Sequence, residues 1–427
     1  MLRKDLPQKL KIAIVSPKFT IGSASSSQGF VWPILRQLAQ QGHQVHVLAW
    51  TNSLGEPVVK TDNVQISFVS ELKKSKNILE FPRLIREVFL EEHQKSPYHI
   101  LHSLTRDGFL LARERKQHSF ATAFDIQATS MAQLYSLIGM SEETPVSKIR
   151  NGFKISYTFL KNYVQKDRAL LGAADAAFVT SLQQKWILER YYLYPPMHVF
   201  TIPYSLDLHD LSVRQKSDQL RKKLNIPQNC KVAVTFSDML EKTELTHVLR
   251  AFQKVAVKKP NTRLVVVGSG PFFKALEYEM LNLALASKVI FAGAVPAYEV
   301  HDYIDLADAF ISFNPLSSGF EPTTFEAMAQ QKIVIGSDVG SLANIIDNTG
   351  DGFLIRPADT NSLCELLIDI FSFSANYENV GERARQKVLS LFDLTKLTQQ
   401  TLDAYQQTLS MTHRYKKHFA EHKDMRP

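Results

Sequence analysis

Two glycine-containing loops in the sequence are suited to holding a phosphate group. Residues 21–29 (Ile-Gly-Ser-Ala-Ser-Ser-Ser-Gln-Gly) follow an apolar run and open an amphipathic stretch, with Gly22 near the start of the loop. Residues 267–271 (Val-Gly-Ser-Gly-Pro) have the same setting and contain Gly268 and Gly270. Free backbone N–H groups and the dipole of a following helix attract phosphate at such loops. A helix capping box in the first loop and a plain tight turn in the second are the structural alternatives, and both stay open.

These loops belong to a regular alternation of short β-rich apolar runs with amphipathic stretches of helical length. In the first half, strands are predicted at 12–15, 45–50, 100–102, 121–124 and 176–180, with a helix at about 30–41. In the second half, strands are predicted at 232–236, 264–267, 289–291, 309–313, 333–335 and 353–355, and helices at 244–258, 272–284, 297–306, 323–331 and 360–372. The alternation is typical of βαβ units and predicts an α/β protein with two parallel-sheet, Rossmann-like domains. Because open parallel sheets bind ligands at the carboxyl ends of their strands, the loop after residue 267 lies at a candidate ligand edge.

Breaks in this alternation of strands and helices set the expected domain boundaries. The first domain is predicted at 1–205 and the second at 206–380, with helices at 381–410 packing back on the first domain and a basic tail at 411–427. Residues 126–168 carry no strand signal and interrupt the first sheet. Long segments of this kind often determine substrate specificity.

Composition excludes several classes of protein. The 427 residues include 50 Lys and Arg against 42 Asp and Glu, a formal charge of +8 that favours anionic partners without selecting one. Two cysteines, Cys230 and Cys364, make neither a disulfide framework nor a metal-binding cluster. No signal segment, membrane-spanning run or nucleic-acid-binding motif is apparent, so we expect a cytoplasmic protein with peripheral membrane contact at most and no nucleic-acid partner.

One basic and apolar stretch bears on membrane contact. Lys73, Lys74 and Lys76 precede residues 78–89, where apolar side chains recur at helical spacing and two arginines flank them. The pattern suits an amphipathic helix lying on a membrane surface. A core-packed helix with a solvated basic face is the commoner arrangement and is favoured here.

The most informative stretch is 313–330 (Phe-Asn-Pro-Leu-Ser-Ser-Gly-Phe-Glu-Pro-Thr-Thr-Phe-Glu-Ala-Met-Ala-Gln), followed by 332–340 (Lys-Ile-Val-Ile-Gly-Ser-Asp-Val-Gly). It resembles glycosyltransferase family 4, the retaining nucleotide-sugar glycosyltransferases of GT-B fold, whose members carry a Glu, seven residues and a second Glu, then a strand and a Gly-Gly loop. The resemblance covers roughly residues 10–410. The other matching phrases are Lys11-Ile-Ala-Ile-Val-Ser16, Gln41-Gly-His-Gln-Val45, Ala174-Asp-Ala176, Thr201-Ile-Pro203 with Asp207, Val248-Leu-Arg-Ala-Phe252, Val267-Gly-Ser-Gly-Pro271 and Ala307-Asp308.

This resemblance implies two Rossmann-like domains whose sheets face an interdomain cleft, and transfer of a sugar, with retention, from a nucleotide-sugar to a carbohydrate, lipid or protein acceptor. It implies no metal and no cofactor beyond the nucleotide-sugar itself. Such a site needs acceptors for sugar and ribose hydroxyls and positive potential for the diphosphate leaving group. The resemblance puts the ribose-binding carboxylate at Glu326, with Lys242 and the helix N-terminus after Phe320 facing the phosphates and Gly22 beside the cleft. The remaining donor-site candidates are Gly268, Gly270, Ser318, Gly319, Glu321 and Thr323. No catalytic residue is assigned, and Thr323-x-x-Glu326 also fits a capping box, which gives Glu326 a structural alternative.

Several positions depart from the family pattern. Asp238 and Thr243 stand where the family has the Arg and Lys that contact the diphosphate, and Lys242 is adjacent to the second position. Ser318 stands where the family has the first Glu, with Glu321 three residues later. Asp125 stands where a His is frequent, and Ser341 replaces the second Gly of the Gly-Gly loop. A carboxylate at 238 would repel a diphosphate. Two hypotheses follow: an active glycosyltransferase, or a catalytically degenerate GT-B homologue that binds a partner protein, a glycan or a nucleotide.

Overall fold

Both halves of the molecule alternate short buried strands with amphipathic helices. The computed structural model describes residues 7–19, 31–50, 56–126, 129–131, 161–203, 205, 218–240, 242–313, 322–338 and 342–423. These residues form two units. The first contains the described residues up to 205 and those from 393 onward, and the second contains those from 218 to 392.

The first unit is built on an eight-stranded sheet. Its strands are β1 (Lys11–Val15), β2 (Gln44–Ala49), β3 (Val58–Thr61), β4 (Val64–Phe68), β5 (Ile100–Ser103), β6 (Ala121–Asp125), β7 (Ala176–Val179) and β8 (Val199–Thr201). Their order across the sheet is β3-β4-β2-β1-β5-β6-β7-β8, and every neighbouring pair is parallel except β3 with β4. The strands predicted in this half are confirmed. The β3–β4 hairpin and β8 were not predicted.

The second unit is built on a six-stranded parallel sheet. Its strands are β9 (Lys231–Phe236), β10 (Thr262–Val267), β11 (Val289–Gly293), β12 (Ala309–Ser312), β13 (Ile333–Ser337) and β14 (Phe353–Ile355). The order is β11-β10-β9-β12-β13-β14. Counted from the first strand of this unit, it is 3-2-1-4-5-6, the order typical of Rossmann sheets, and all six strands confirm the sequence prediction.

Helices cover the sheets of both units. In the first unit they are α1 (Trp32–Gln40), α2 (Val69–Lys73), α3 (Phe81–Lys95), α4 (Phe109–His118), α5 (Ala169–Ala173) and α6 (Leu182–Tyr191). In the second they are α7 (Asp218–Lys223), α8 (Thr243–Lys258), α9 (Phe273–Asn282), α10 (Ala297–Leu306), α11 (Pro322–Ala329), α12 (Thr360–Ser372) and α13 (Glu378–Leu391), and α14 (Leu394–Lys423) belongs to the first unit again.

Apolar faces explain how the helices of the second unit attach to its sheet. Val248, Leu249, Phe252 and Val255 of α8 recur at helical spacing and are fully or almost fully buried in one cluster with β-branched residues of the strands, such as Ile335. Each such side chain contributes about 1.5–3 kcal/mol by leaving water. This packing fixes the start of α8 at the carboxyl edge of the sheet.

The C-terminal boundary differs from the sequence prediction. Residues 381–391 were expected to return to the first domain, but α13 packs on α11 of the second unit, where a Cβ at Gly381 would lie 2.2 Å from the carbonyl oxygen of Gln331. The return begins at residue 393, and α14 then packs on α1 through Thr398, whose hydroxyl donates to Gln37 over 2.6 Å. Helix α14 continues into the segment expected as a basic tail, because residues 394–423 contain no Gly or Pro to end it.

The described part of the chain holds no helix long and apolar enough to cross a membrane.

Candidate functional site

The strand order of the second sheet reverses between β9 and β12. From β9 the chain runs through α8 to β10 on one side, and from β12 it passes to α11 and β13 on the other. Ligands of open parallel sheets bind in the crevice at this reversal, beyond the carboxyl ends of the strands. The two predicted donor-site residues Lys242 and Glu326 belong to the connections that leave β9 and β12, so the topology brings both to the same edge of the sheet.

Glu326 is a buried carboxyl group on α11. Its residue is 3% exposed, and its Oε2 atom has no hydrogen-bond partner among the described residues. Burial raises the pKa of this carboxyl from 4.5 to about 7. A buried acceptor without a donor is costly, so this arrangement is suited to a ligand that brings hydroxyl donors to the carboxylate.

The local structure of α11 does not support the capping-box interpretation of Glu326. The helix begins at Pro322, so Thr323 is its second residue and lies inside the helix. Neighbouring contacts hold α11 in place: the hydroxyl groups of Thr324 and Ser312 are 2.7 Å apart, and the ring of Phe325 packs edge-on against Phe392 with centroids 4.9 Å apart. These two contacts hold the backbone that carries Glu326 and do not involve its carboxylate.

Lys242 and Thr243 stand at the start of α8. Lys242 immediately precedes the helix, and its carbonyl accepts the N–H of Thr246 over 2.9 Å. Its side chain is exposed and makes no ion pair with another described residue. Thr243 is the first residue of this 16-residue helix. The free N–H groups of the first turn and the Lys242 ammonium together give positive potential at this edge.

Asp238, the residue expected to repel a diphosphate, has a structural function in the loop after β9. Its exposed carboxylate accepts the N–H of Leu240 over 3.0 Å, and the hydroxyl of Ser237 accepts the N–H of Met239 over 3.1 Å. Met239 is fully buried with φ of +49°. The Asp238 side chain therefore stabilises the turn that leads to Lys242.

Gly268 and Gly270 are required by the close approach of two loops. A Cβ at Gly268, where φ is +120°, would lie 1.9 Å from the carbonyl oxygen of Ser237, and a Cβ at Gly270 would lie 1.8 Å from that of Asp238. The N–H of Gly268 donates to the carbonyl of Gly293 over 2.8 Å, so it is not available to a phosphate. For Gly268 the tight-turn alternative is the correct one.

Asp125 lies in the first unit, in a buried hydrogen-bonded chain. Its Oδ1 is 2.7 Å from Nε2 of His102, whose Nδ1 is 2.7 Å from the hydroxyl of Tyr405 on α14. Burial raises the pKa of Tyr405 well above its usual value, so this hydroxyl keeps its proton. When Nε2–H of His102 donates to Asp125, the Tyr405 hydroxyl donates to Nδ1. Sequence reasoning singled out Asp125 but missed its two partners, because residue 405 is 303 positions from His102.

A cavity of about 200 Å³ opens beside Asp125 at the carboxyl ends of β5 and β6. Its other polar lining residues are Thr105, Arg106, Thr129 and the buried Asp167. Arg106 forms an ion pair with Asp167. The Asp167 carboxylate also accepts hydrogen bonds of 2.7 Å from the N–H of Ser130 and from the hydroxyl of Tyr192. Sequence reasoning also missed this pair, since no motif links two residues 61 positions apart.

The remaining predicted site residues lie outside the described residues. These are Gly22, Ser318, Gly319, Phe320 and Glu321, together with the Gly340-Ser341 loop. Among the residues that the structure describes, no group of three or more His, Cys, Asp or Glu side chains is placed to hold a metal ion.

Comparisons with known proteins show what the chain resembles in sequence. Residues 216–387 match the family model of glycosyl transferases group 1. Over 238 residues the chain is 25% identical to N-acetyl-alpha-D-glucosaminyl L-malate synthase of Bacillus anthracis, covering 56% of this chain and 61% of the relative. Over 197 residues it is 26% identical to lipopolysaccharide 1,2-N-acetylglucosaminetransferase of Salmonella typhimurium, covering 44% and 51%. The chain thus spans only about half to three fifths of these relatives.

Solved structures extend the likeness to nearly the whole chain at the level of fold. Sucrose-phosphate synthase from Thermosynechococcus elongatus superposes with a TM-score of 0.72 at 19% identity, covering 94% of this chain and all of that one. HepE of Anabaena, in complex with UDP and glucose, superposes with a TM-score of 0.65 at 15% identity, covering 92% and 98%. The predicted resemblance to family 4 is consistent with these matches. Residues 216–387 thus match the glycosyl transferases group 1 model, and the chain as a whole shares the GT-B fold of these solved structures.

Proposed function

We propose that this protein is a glycosyltransferase that moves a sugar from a nucleotide-sugar donor to an acceptor hydroxyl. The observation that carries the proposal is the buried Glu326 carboxylate, whose Oε2 lacks a hydrogen-bond partner, within the matched family domain. Ribose hydroxyl groups would donate to this oxygen. Lys242 and the first turn of α8 would face the diphosphate, where negative charge accumulates as the glycosidic bond breaks.

Two finer features of the proposal come from the family resemblance. We propose retention of the anomeric configuration and transfer without a metal ion, with the nucleotide-sugar as the only small molecule required beside the acceptor. Activity in the presence of EDTA and the anomeric proton signal of the product, read by NMR, test these two points. Loss of activity in EDTA, or an inverted product, would contradict them.

A thermal-shift titration with UDP-, GDP- and ADP-sugars tests the donor site. A ligand at about 100 times its Kd stabilises the folded chain by roughly 2.7 kcal/mol. We expect one donor to stabilise the chain and Glu326→Gln to remove that shift. Glu279→Gln is the matched control, because Glu279 is a partly exposed glutamate of the same unit that forms an ion pair with Arg250. A donor-dependent shift retained in Glu326→Gln would contradict the assignment of Glu326.

Release of nucleoside diphosphate in the presence of an acceptor panel tests transfer itself. The panel needs glycans, lipids and proteins, since the acceptor class is open. We expect acceptor-dependent release and loss of that release in Glu326→Gln. Donor binding without turnover on any acceptor would favour the catalytically degenerate alternative.

We further propose that the first unit contacts an anionic membrane surface that carries the acceptor. Ile78 and Leu79 are 44% and 84% exposed just before α3, and the exposed Lys74 and Lys76 lie beside them without an ion pair to any other described residue. Helix α3 itself buries its apolar side chains in the core, as the favoured sequence interpretation expected. Exposed apolar side chains flanked by lysines suit insertion into the headgroup region of an acidic bilayer.

Vesicle co-sedimentation tests this contact. We expect binding to vesicles that contain phosphatidylglycerol, weaker binding to phosphatidylcholine alone, and a roughly tenfold loss of binding in Leu79→Glu. Leu193→Glu is the matched control, because Leu193 is also a highly exposed leucine of the first unit. Equal binding of the two variants would refute the proposed surface.

A further inference from the structure

Ser337 is the last residue of β13, and its hydroxyl group is buried without a partner. The residue is 3% exposed, and Oγ makes no hydrogen bond to any described residue. A buried hydroxyl normally finds a partner, because leaving it unpaired costs free energy. Sequence reasoning did not select Ser337, although it lies in the segment 332–340 that carries part of the family resemblance.

The position of Ser337 places its hydroxyl at the carboxyl edge of the second sheet. Pairing of β13 with β12 ends at Gly336, opposite Ser312, so Ser337 extends one residue beyond its neighbour on that side. On the other side it pairs with Ile355 of β14. The edge that Ser337 reaches is therefore the one at which α8 begins.

The face of the sheet on which Ser337 lies follows from strand alternation. Successive side chains of a strand point to opposite faces, so Ser337 shares a face with Ile333 and Ile335. Those two isoleucines pack in the apolar cluster that includes the core face of α8. Gly336 lies on the opposite face, where Leu342 and Ile346 approach it. Ser337 and the N-terminus of α8 thus share one face and one edge of the sheet.

We propose that the Ser337 hydroxyl donates a hydrogen bond to a phosphate oxygen of the nucleoside diphosphate bound at this edge. The proposal rests on the proposed function and adds a contact to the donor site. A hydroxyl group and the free N–H groups of a helix N-terminus are both donors that suit phosphate oxygens, and Lys242 supplies the charge on the same connection. In the same proposed site, Glu326 on the helix after β12 accepts hydrogen bonds from the ribose hydroxyl groups. The unpartnered hydroxyl is explained because its acceptor arrives with the ligand.

The test compares Ser337→Ala with the unmodified chain in binding and in stability. Calorimetric titration uses UDP, or GDP or ADP if one of these stabilises the chain more, together with the corresponding nucleoside without phosphate. We expect a roughly tenfold weaker Kd for the diphosphate, an unchanged Kd for the nucleoside, and a melting temperature of the ligand-free protein that is equal or higher. A hydroxyl with a purely structural function would show the opposite pattern, a lower melting temperature and an unchanged Kd.

Ser312→Ala is the matched control. Ser312 ends the neighbouring strand, but its hydroxyl is paired with Thr324, so we expect a lower melting temperature and an unchanged Kd for the diphosphate. Unchanged diphosphate affinity in Ser337→Ala would overturn the contact, and so would an equal loss for the nucleoside or a loss confined to the intact nucleotide-sugar. If no nucleoside diphosphate binds the unmodified chain, the proposed function fails as well. If the unmodified chain binds and only Glu326→Gln loses affinity, the proposed function stands and the Ser337 contact alone is refuted.

Discussion

Replacing Glu326 by Gln should change how the stability of the ligand-free protein depends on pH. The substitution keeps the shape of the side chain and removes its ionisation. In the native chain, burial raises the pKa of this carboxyl from 4.5 to about 7. Between these two pH values the folded chain binds more protons at Glu326 than the unfolded chain does. The contribution of Glu326 to the free energy of unfolding is therefore full below pH 4.5, falls as pH rises, and is lost above about pH 7.

The size of the effect follows from the pKa difference. Each pKa unit corresponds to about 1.4 kcal/mol, so this one carboxyl removes about 3 kcal/mol of stability between pH 4.5 and pH 7. A glutamine at this site leaves its own buried amide groups unpaired, but that cost does not depend on pH. The informative quantity is therefore the difference in free energy of unfolding between Glu326→Gln and the unmodified chain. We expect this difference to move by about 3 kcal/mol in favour of the variant from pH 4.5 to pH 8.

Ligand binding should depend on pH in the opposite direction. In the proposed donor site the ribose hydroxyl groups would donate to the ionised carboxylate, which forms about 10% of the population at pH 6 and about 90% at pH 8 for a pKa of about 7. The apparent Kd should then weaken roughly tenfold from pH 8 to pH 6. The nucleoside of the preferred donor is the proper probe, because a diphosphate titrates near pH 6 itself.

Urea unfolding at half-unit pH steps and calorimetric titration of the nucleoside measure both effects. Glu279→Gln serves as the control, since its exposed partner Arg250 allows only a small change. If the difference in free energy of unfolding between Glu326→Gln and the unmodified chain did not change with pH, burial would not raise the pKa of the Glu326 carboxyl. A nucleoside Kd that does not change with pH in the unmodified chain would show that the ribose does not use this carboxylate.

Three further predictions concern the loops and the buried chain of hydrogen bonds. Gly268→Ala should lower the free energy of unfolding by roughly 3 kcal/mol or more, because a methyl group meets a backbone carbonyl at a positive φ, and urea unfolding measures it. Tyr405→Phe should cost about 1–3 kcal/mol by leaving Nδ1 of His102 unpaired, and an unchanged melting temperature would contradict the hydrogen bond. Asp238→Asn keeps an oxygen acceptor for the turn and removes the charge, so the diphosphate should bind roughly two- to fivefold more tightly in low salt, while equal affinity would show that this carboxylate does not face the phosphates.

The sequence was sufficient to predict the central strands of both sheets because those strands are buried on both faces. Runs such as Val232–Val234 and Leu264–Val267 are uninterrupted apolar segments between amphipathic helices, a pattern that local chemistry determines. The β3–β4 hairpin was not predicted, because its edge strand, Val58–Thr61, is half exposed and lacks a continuous apolar run. Its turn carries a detectable signal, since Asp62 and Asn63 both adopt positive φ and such residues favour two-residue hairpin turns.

The candidate site was only partly predictable. Motif spacing identified Glu326, and the structure adds that the carboxylate is buried with an unpartnered oxygen. The partners of Asp125 and of Arg106 arise from chain segments far apart in sequence, so no spacing rule reaches them. The fold boundary at 392 was missed for a similar reason, because the close approach of Gly381 to the end of α11 is a tertiary contact.

Two of the departures from the family pattern, Asp238 and Thr243, lie in the connection from β9 to α8. The carboxylate of Asp238 holds the turn after β9, and this turn sets where α8 begins. Lys242 stands at that helix start, so in the proposed donor site the positive potential for a leaving diphosphate would come from the helix terminus and its adjacent lysine instead of from side chains at 238 and 243. The buried Glu326 carboxylate, with its unpartnered Oε2, lowers stability near neutral pH, and hydroxyl donors from a bound ligand would offset that cost. The buried carboxylate on α11 and the lysine at the start of α8, both on connections at the carboxyl edge of the second sheet, therefore support the proposed donor site.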